Sequence, residues 1–187
     1  MNALLEAAAE IQSFLRDADE KFCFIGGVAL QRWGEPRFTR DVDVTLLCPY
    51  GAEAVPAARL IAAFSPRIPD AQLFAQQHRV LLLRSSSGIP LDIALGAIPF
   101  EERCVERATE FDLGGIRLLT CAAEDLVVLK AFAGRDRDWA DIDSIAARQS
   151  RRLDWPLIFN EFAPLAGLRE GSQAMARLTS LRDTHLL

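Results

Sequence analysis

In the segment Asp41–Leu47 (DVDVTLL) two aspartates stand two residues apart in a strand-like run of Val42, Val44, Leu46 and Leu47. A strand sends successive side chains to opposite faces, so Asp41 and Asp43 share one face and Val42 and Val44 the other. A packed core rejects two unpaired carboxylates, and at this spacing each raises the other's pKa unless a cation lies between them. Two surroundings meet that demand. One is water along an exposed strand. The other is a hard divalent ion such as Mg²⁺, which suits all-oxygen ligands.

A third carboxylate bears on the choice. Asp92 lies in "PLDIAL", an apolar strand with no evident structural use for a charge. If that strand lies beside Asp41–Leu47, Asp41, Asp43 and Asp92 converge, and metal ions bridging them could bind a triphosphate. Upstream, the apolar run Lys21–Ile25 ends in Gly26-Gly27 and is followed by a helical stretch. Glycines there let a phosphate approach the free N–H groups of the helix start, although a plain strand-to-helix turn has the same composition. The segment is neither a Walker A loop nor a G-x-G-x-x-G fingerprint.

The remaining chain sorts by periodicity. Residues 2–16 carry Leu4, Leu5, Ala8, Ile11, Phe14 and Leu15 at helical spacing. Strands are expected at 21–25, 41–47, 78–84, 89–95, 105–113 and 116–120, the last two joined by Gly114-Gly115. Short helices are expected at 28–33 and 53–64, with Pro56 in the first turn of the latter. From Ala122 onward the pattern is helical, broken at Gly134, with further helices at 153–163 and 172–181. This order implies a mixed α/β domain over 1–120 and a helical region over 121–187.

Composition narrows the class. Half of the 187 residues are hydrophobic and the net charge is −5, which argues against a generally basic nucleic-acid binder. Arg148, Arg151 and Arg152 leave room for a local basic patch. Cys23, Cys48, Cys104 and Cys121 have no metal or redox spacing and read as buried thiols of a reducing cytoplasm. No apolar run reaches membrane-spanning length, and the N-terminus lacks a signal-peptide pattern. His78 and His185 have no ligand partner at useful spacing, and Trp33, Trp139 and Trp155 read as packing residues.

Taken together, "GGVALQRWGEPRFTRDVDV" and "LDIAL" resemble the nucleotidyltransferase superfamily with the DNA polymerase β fold, and more narrowly its AbiEii-type toxin branch. The resemblance covers roughly residues 20–145. It implies a mixed sheet flanked by helices, with Gly26 and Gly27 as a phosphate-binding turn and Asp41, Asp43 and Asp92 as ligands of Mg²⁺ or Mn²⁺. The Arg-x-Thr element that precedes the aspartates in this branch is Arg37 and Thr39. The later stretch "EDLVVLKAFAGRDRDWADI" matches the branch's helical lysine and downstream aspartate, here Lys130 and Asp138 or Asp141.

On that likeness Lys130 stands at the rim of the helical region, where it would hold a β- or γ-phosphate as a point charge. Asp138 and Asp141 would orient it, bind base or sugar, or help activate the acceptor. Without the likeness, the same residues read as a solvated helix laced with ion pairs.

The implied activity is transfer of a nucleoside monophosphate from an NTP to an acceptor: a tRNA, a small molecule or a protein. An antitoxin partner is a further implication, and a membrane partner is not. A non-catalytic nucleotide-binding module on the same fold is the main alternative. A metal-dependent nuclease leaves the Gly-Gly turn unexplained.

Overall fold

The computed structural model describes residues 2–168 and 172–186. The chain forms two compact units, Met1–Val28 with Phe38–Cys121, and Ala29–Arg37 with Ala122–Leu187.

The first unit begins with α1 (Ala3–Asp17), β1 (Phe22–Phe24) and α2 (Gly26–Trp33), whose C-terminal part belongs to the second unit. It continues with β2 (Val42–Leu47), α3 (Ala54–Ala63), β3 (Ser65–Pro66), α4 (Ala71–His78), β4 (Val80–Arg84) and β5 (Pro90–Gly96). It closes with α5 (Pro99–Glu106), β6 (Thr109–Leu113) and β7 (Ile116–Thr120). The strands form one seven-stranded mixed sheet in the order β3-β4-β5-β2-β1-β7-β6. β2 and β5 pair in parallel, with Val42 opposite Leu91 and Asp43 opposite Asp92.

Alternation decides which face is buried. Val42, Val44 and Leu46 on β2, Leu91 and Ile93 on β5, and Leu81 and Leu83 on β4 are all fully buried. They form one core with Leu4, Ala8, Ile11 and Leu15 of α1 and Ala57 and Leu60 of α3. Each buried Leu or Ile contributes about 1.5–3 kcal/mol. A one-residue slip of β2 would place Asp43 where Val42 and Val44 now lie, so the register is strongly held. The opposite face therefore receives Asp43 and Asp92 together.

The second unit is helical: α6 (Ala123–Ala133), α7 (Asp136–Gln149), a 3₁₀ turn at Ser150–Arg152, α8 (Trp155–Ala166) and α9 (Ser172–Leu186). Gly134 ends α6 in the left-handed conformation, φ +68°, and its N–H donates to the Lys130 carbonyl at 2.9 Å. Asp154 caps α8, its carboxylate accepting from the Leu157 N–H at 3.0 Å. The short segment 29–37 packs closely here. A Cβ on Gly34 would lie 2.6 Å from Leu30 Cδ1 and 2.7 Å from Ser144 Oγ.

The mixed sheet and the C-terminal helices match the expected architecture. Two helices were not anticipated. His78 ends α4 rather than opening a strand, and Val105 belongs to α5, so β6 starts at Thr109. The α5 signal was present in the chain: Pro99 sits in the first turn, and the Glu101 carboxylate accepts from the Ala97 and Ile98 N–H groups at 2.7 and 3.1 Å. All four cysteines are buried thiols outside any disulfide, as expected. Trp139 and Trp155 are buried packing residues. Among the described residues, no helix is long and apolar enough to cross a membrane.

Candidate active site

In the first unit the sheet itself assembles an acidic cluster. Asp43 and Asp92 are register partners on adjacent parallel strands, and cross-strand partners project from the same face. Asp41 immediately precedes β2, two residues from Asp43, so it joins that face. One oxygen from each of Asp41, Asp43 and Asp92 lies within 4.8 Å of the others, and all three residues are half-buried.

The neighbours hold this arrangement. Thr39 Oγ1 donates to Asp41 Oδ1 at 2.9 Å, so the threonine of the Arg-x-Thr element orients a carboxylate. Gly26 adopts φ +55°, and a Cβ there would sit 1.9 Å from Asp43 Oδ2. A Cβ on Gly27 would sit 2.4 Å from Thr39 Oγ1. The glycine pair therefore lets the start of α2 lie directly against the acidic face, and position 26 admits little besides glycine. Arg67, which follows β3, donates through Nη2 to Asp92 Oδ1. Burial pushes the Asp92 carboxyl above its ordinary range, the Arg67 guanidinium partly opposes this, and the Asp41 charge adds to it. A set of three converging hard oxygen donors beside a glycine turn fits Mg²⁺ or Mn²⁺.

The second unit holds the other singled-out residues. Arg37 grips Asp141 with both prongs of its guanidinium, Nε to Oδ1 and Nη2 to Oδ2, each at 2.7 Å. Lys130 Nζ donates to Asp141 Oδ2 at 2.5 Å and lies 3.6 Å from Asp138 Oδ1. Asp138 also accepts from Arg135 Nε at 2.5 Å. Lys130 does not stand at a rim: it is only 5% exposed. The cause is α6, where Leu126, Val127, Val128 and Ala131 are buried around it. Nor are Asp138 and Asp141 on a solvated face, since both are buried. Burial alone would raise the Asp141 carboxyl, but hydrogen bonds and charge from Arg37 and Lys130 outweigh it and hold the group below its ordinary range.

The carboxylate triad and glycine turn form one cluster, and Lys130, Asp138, Asp141 and Arg37 form a second. The expected arginine patch is partly committed, because Arg148 donates to the Gly34 carbonyl.

The profile of the family described as nucleotidyl transferase AbiEii toxin, type IV toxin–antitoxin system, matches residues 13–163. The chain belongs to this family. It is a nucleotidyltransferase. No curated protein sequence matches it.

Solved structures of low sequence identity share the fold. An antigenic nucleotidyltransferase-like protein from Paracoccidioides brasiliensis aligns with a TM-score of 0.53 at 14% identity, covering 94% of this chain and 92% of that one. The antibiotic-resistance factor ANT(2'')-Ia aligns at 0.50 and 13% identity, over 96% of this chain and 89% of that one. The lincosamide antibiotic adenylyltransferase LnuA, bound to lincomycin, aligns at 0.50 and 12% identity, over 73% and 92%.

Two residues of this nucleotidyltransferase went unforeseen. Arg67 lies in "SPRIP", where nothing local marks it, and only the order of β3, β4 and β5 brings it to Asp92. Arg135, in a stretch whose composition reads as a solvated, ion-paired helix, is instead a partner of buried Asp138.

Proposed function

We propose that this nucleotidyltransferase moves a nucleoside monophosphate from an NTP to a hydroxyl of an acceptor, with Asp41, Asp43 and Asp92 holding Mg²⁺ or Mn²⁺. The observation that carries the reading is the in-register placement of Asp43 beside Asp92, with Asp41 alongside and the Gly26 backbone pressed against the same carboxylates. When bound, the divalent ion supplies charge neutralisation and Lewis acidity at the triphosphate.

The chain's own groups do the rest. Gly26 and Gly27 bring the amide groups at the start of α2 to the acidic face, where they donate to phosphate oxygens. Thr39 keeps Asp41 oriented by its 2.9 Å hydrogen bond. Asp92, whose carboxyl burial has shifted towards higher pKa, accepts the acceptor's hydroxyl proton. The acceptor oxygen forms a bond to the α-phosphorus while the bond to the bridging oxygen of the β-phosphate breaks, and pyrophosphate leaves. The family description supports a toxin role with a cognate antitoxin. The Lys130–Asp141–Arg37 network is proposed to serve nucleotide or acceptor binding from the second unit.

Incubation with each of the four NTPs, labelled at the α-phosphate, and a cell extract tests the reading. The expected result is label on one class of extract component, dependent on Mg²⁺ or Mn²⁺ and lost in Asp43→Ala. Retained transfer by a folded Asp43→Ala protein refutes the site. A parallel incubation with pre-labelled RNA separates the nuclease reading: cleavage of that RNA, with no adduct formed from the labelled NTPs, refutes the transfer. For the toxin role, induced expression of the unaltered chain arrests growth and Asp43→Ala does not.

A further inference from the structure

Among the described residues, Arg67 is a cation set directly against an aspartate of the sheet's acidic face, and the proposed reaction does not use it. Arg67 follows directly on β3, and its N–H donates to the Leu82 carbonyl at 2.9 Å, extending that strand's pairing by one residue. Leu82 is opposite Asp92 on β5, and Asp92 is opposite Asp43 on β2. The four positions thus lie in one row across the sheet, on one face. From the end of that row Arg67 reaches past the Leu82 position and places Nη2 on Asp92 Oδ1.

The guanidinium is only partly satisfied there. Its Nε is buried and has no hydrogen-bond partner among the described residues. An arginine that only braced the sheet would be expected to satisfy its buried N–H groups, because an orphaned donor is costly. Through Nη2 its charge lies against one of the carboxylates that attract a cation.

We infer that Arg67 is a positioning residue that acts through Asp92 as a stand-in cation, so that a divalent ion loads with the nucleotide rather than before it. The inference rests on the metal reading of the Asp41–Asp43–Asp92 cluster given above. Three carboxylates with no compensation would bind a lone divalent ion well. With Arg67 seated on one of them, a lone ion must share Asp92 with a fixed positive charge. An ion arriving with a triphosphate brings its own negative charge, and the same guanidinium then attracts the incoming group rather than opposing it. A futile metal-loaded state without substrate is thereby disfavoured.

The magnitude follows from Coulomb's law. At an assumed separation of about 5 Å, Coulomb repulsion between a divalent ion and the guanidinium would weaken binding on the order of tenfold even in a water-like medium. The test is Mn²⁺ titration followed by electron paramagnetic resonance of the free ion, on the full chain without nucleotide. Arg67→Gln is expected to bind Mn²⁺ about tenfold more tightly than the unaltered protein, and Arg67→Lys, which keeps the charge, to restore the weaker binding. Adding a non-hydrolysable NTP analogue should remove or reverse the advantage of Arg67→Gln.

A bracing role alone predicts unchanged or weaker Mn²⁺ binding in Arg67→Gln, and that result overturns the inference. Should glutamine compromise folding, Arg67→Met, which keeps the aliphatic stem, is read by the same criteria. Failure of the metal reading looks different: neither the unaltered protein nor Arg67→Gln then binds Mn²⁺ more tightly than Asp43→Asn, and both the reading and the inference fall.

Discussion

Asp141 is the hub of the second unit's charge network, which makes its removal different in kind from removal of Lys130. Asp141 accepts two bonds from Arg37 and one from Lys130, and its side chain is 6% exposed. Asp141→Ala leaves Lys130, equally buried, with Asp138 at 3.6 Å as its remaining ion-pair partner among the described residues, and removes the carboxylate that Arg37 grips. Stranding a buried charge costs about 3–5 kcal/mol. Arg37 is 29% exposed and can turn to water, which places the expected cost near the lower bound, about 3 kcal/mol.

Lys130→Met strands nothing comparable. Asp141 keeps Arg37, Asp138 keeps Arg135, and methionine fills most of the vacated volume. The loss is one charge-assisted hydrogen bond and the longer ion pair to Asp138, about 1.5–2 kcal/mol.

The assay suits the unit. The chain's three tryptophans are Trp33, Trp139 and Trp155, and all lie within the second unit. Intrinsic fluorescence in a urea titration therefore follows that unit. With an m-value of about 2 kcal/mol/M, the two variants should differ by roughly 0.5–1 M in midpoint, Asp141→Ala being the lower. Because Asp141 is held below its ordinary range, the stability it contributes is present above the unfolded carboxylate pKa and lost as pH falls through the folded value. The gap between Asp141→Ala and the unaltered protein therefore narrows in acid. Equal midpoints, a lower midpoint for Lys130→Met, or a gap that widens in acid refutes the hub reasoning.

At the acidic face, Asp43→Asn relieves repulsion among three carboxylates within 4.8 Å, so its melting temperature without metal should equal or exceed that of the unaltered protein. The rise in melting temperature that Mg²⁺ or Mn²⁺ gives the unaltered protein should vanish in that variant. Gly26→Ala forces a side chain into φ +55°, costing about 1–2 kcal/mol, and drives a Cβ into Asp43 Oδ2. Calorimetry should show that destabilisation together with weakened Mn²⁺ binding, and unchanged metal affinity would refute the close approach. A disulfide-exchange reagent should react slowly with the native chain and titrate four thiols after denaturation, since Cys23, Cys48, Cys104 and Cys121 are all buried.

Much of the acidic face was legible in the chain because its evidence is local. Alternation in Asp41–Leu47 assigns Asp41 and Asp43 to one face, and an isolated carboxylate in "PLDIAL" stands out against apolar neighbours. The helical reading of residues 122–149 was equally local, with Gly134 as its break. Burial was harder to foresee. Lys130, Asp138 and Asp141 read as rim or surface groups because charge is usually solvated, whereas Arg37, 104 residues upstream of Asp141, and Arg135 supply the partners that let them be buried. The helices α4 and α5 were not legible, α4 because it is short and only half apolar, α5 despite its Pro99 and Glu101 start.

By itself, then, the sequence determined the strand faces, the three candidate ligands and the glycine turn, because side-chain period and backbone freedom act over a few residues. The tertiary structure alone decided that Asp43 lies in register with Asp92, that Arg67 reaches Asp92 across β4, and that Lys130 is enclosed by Asp141 and Asp138. Those relations depend on strand order and helix packing between segments far apart in the chain, for which no local pattern carries a signal.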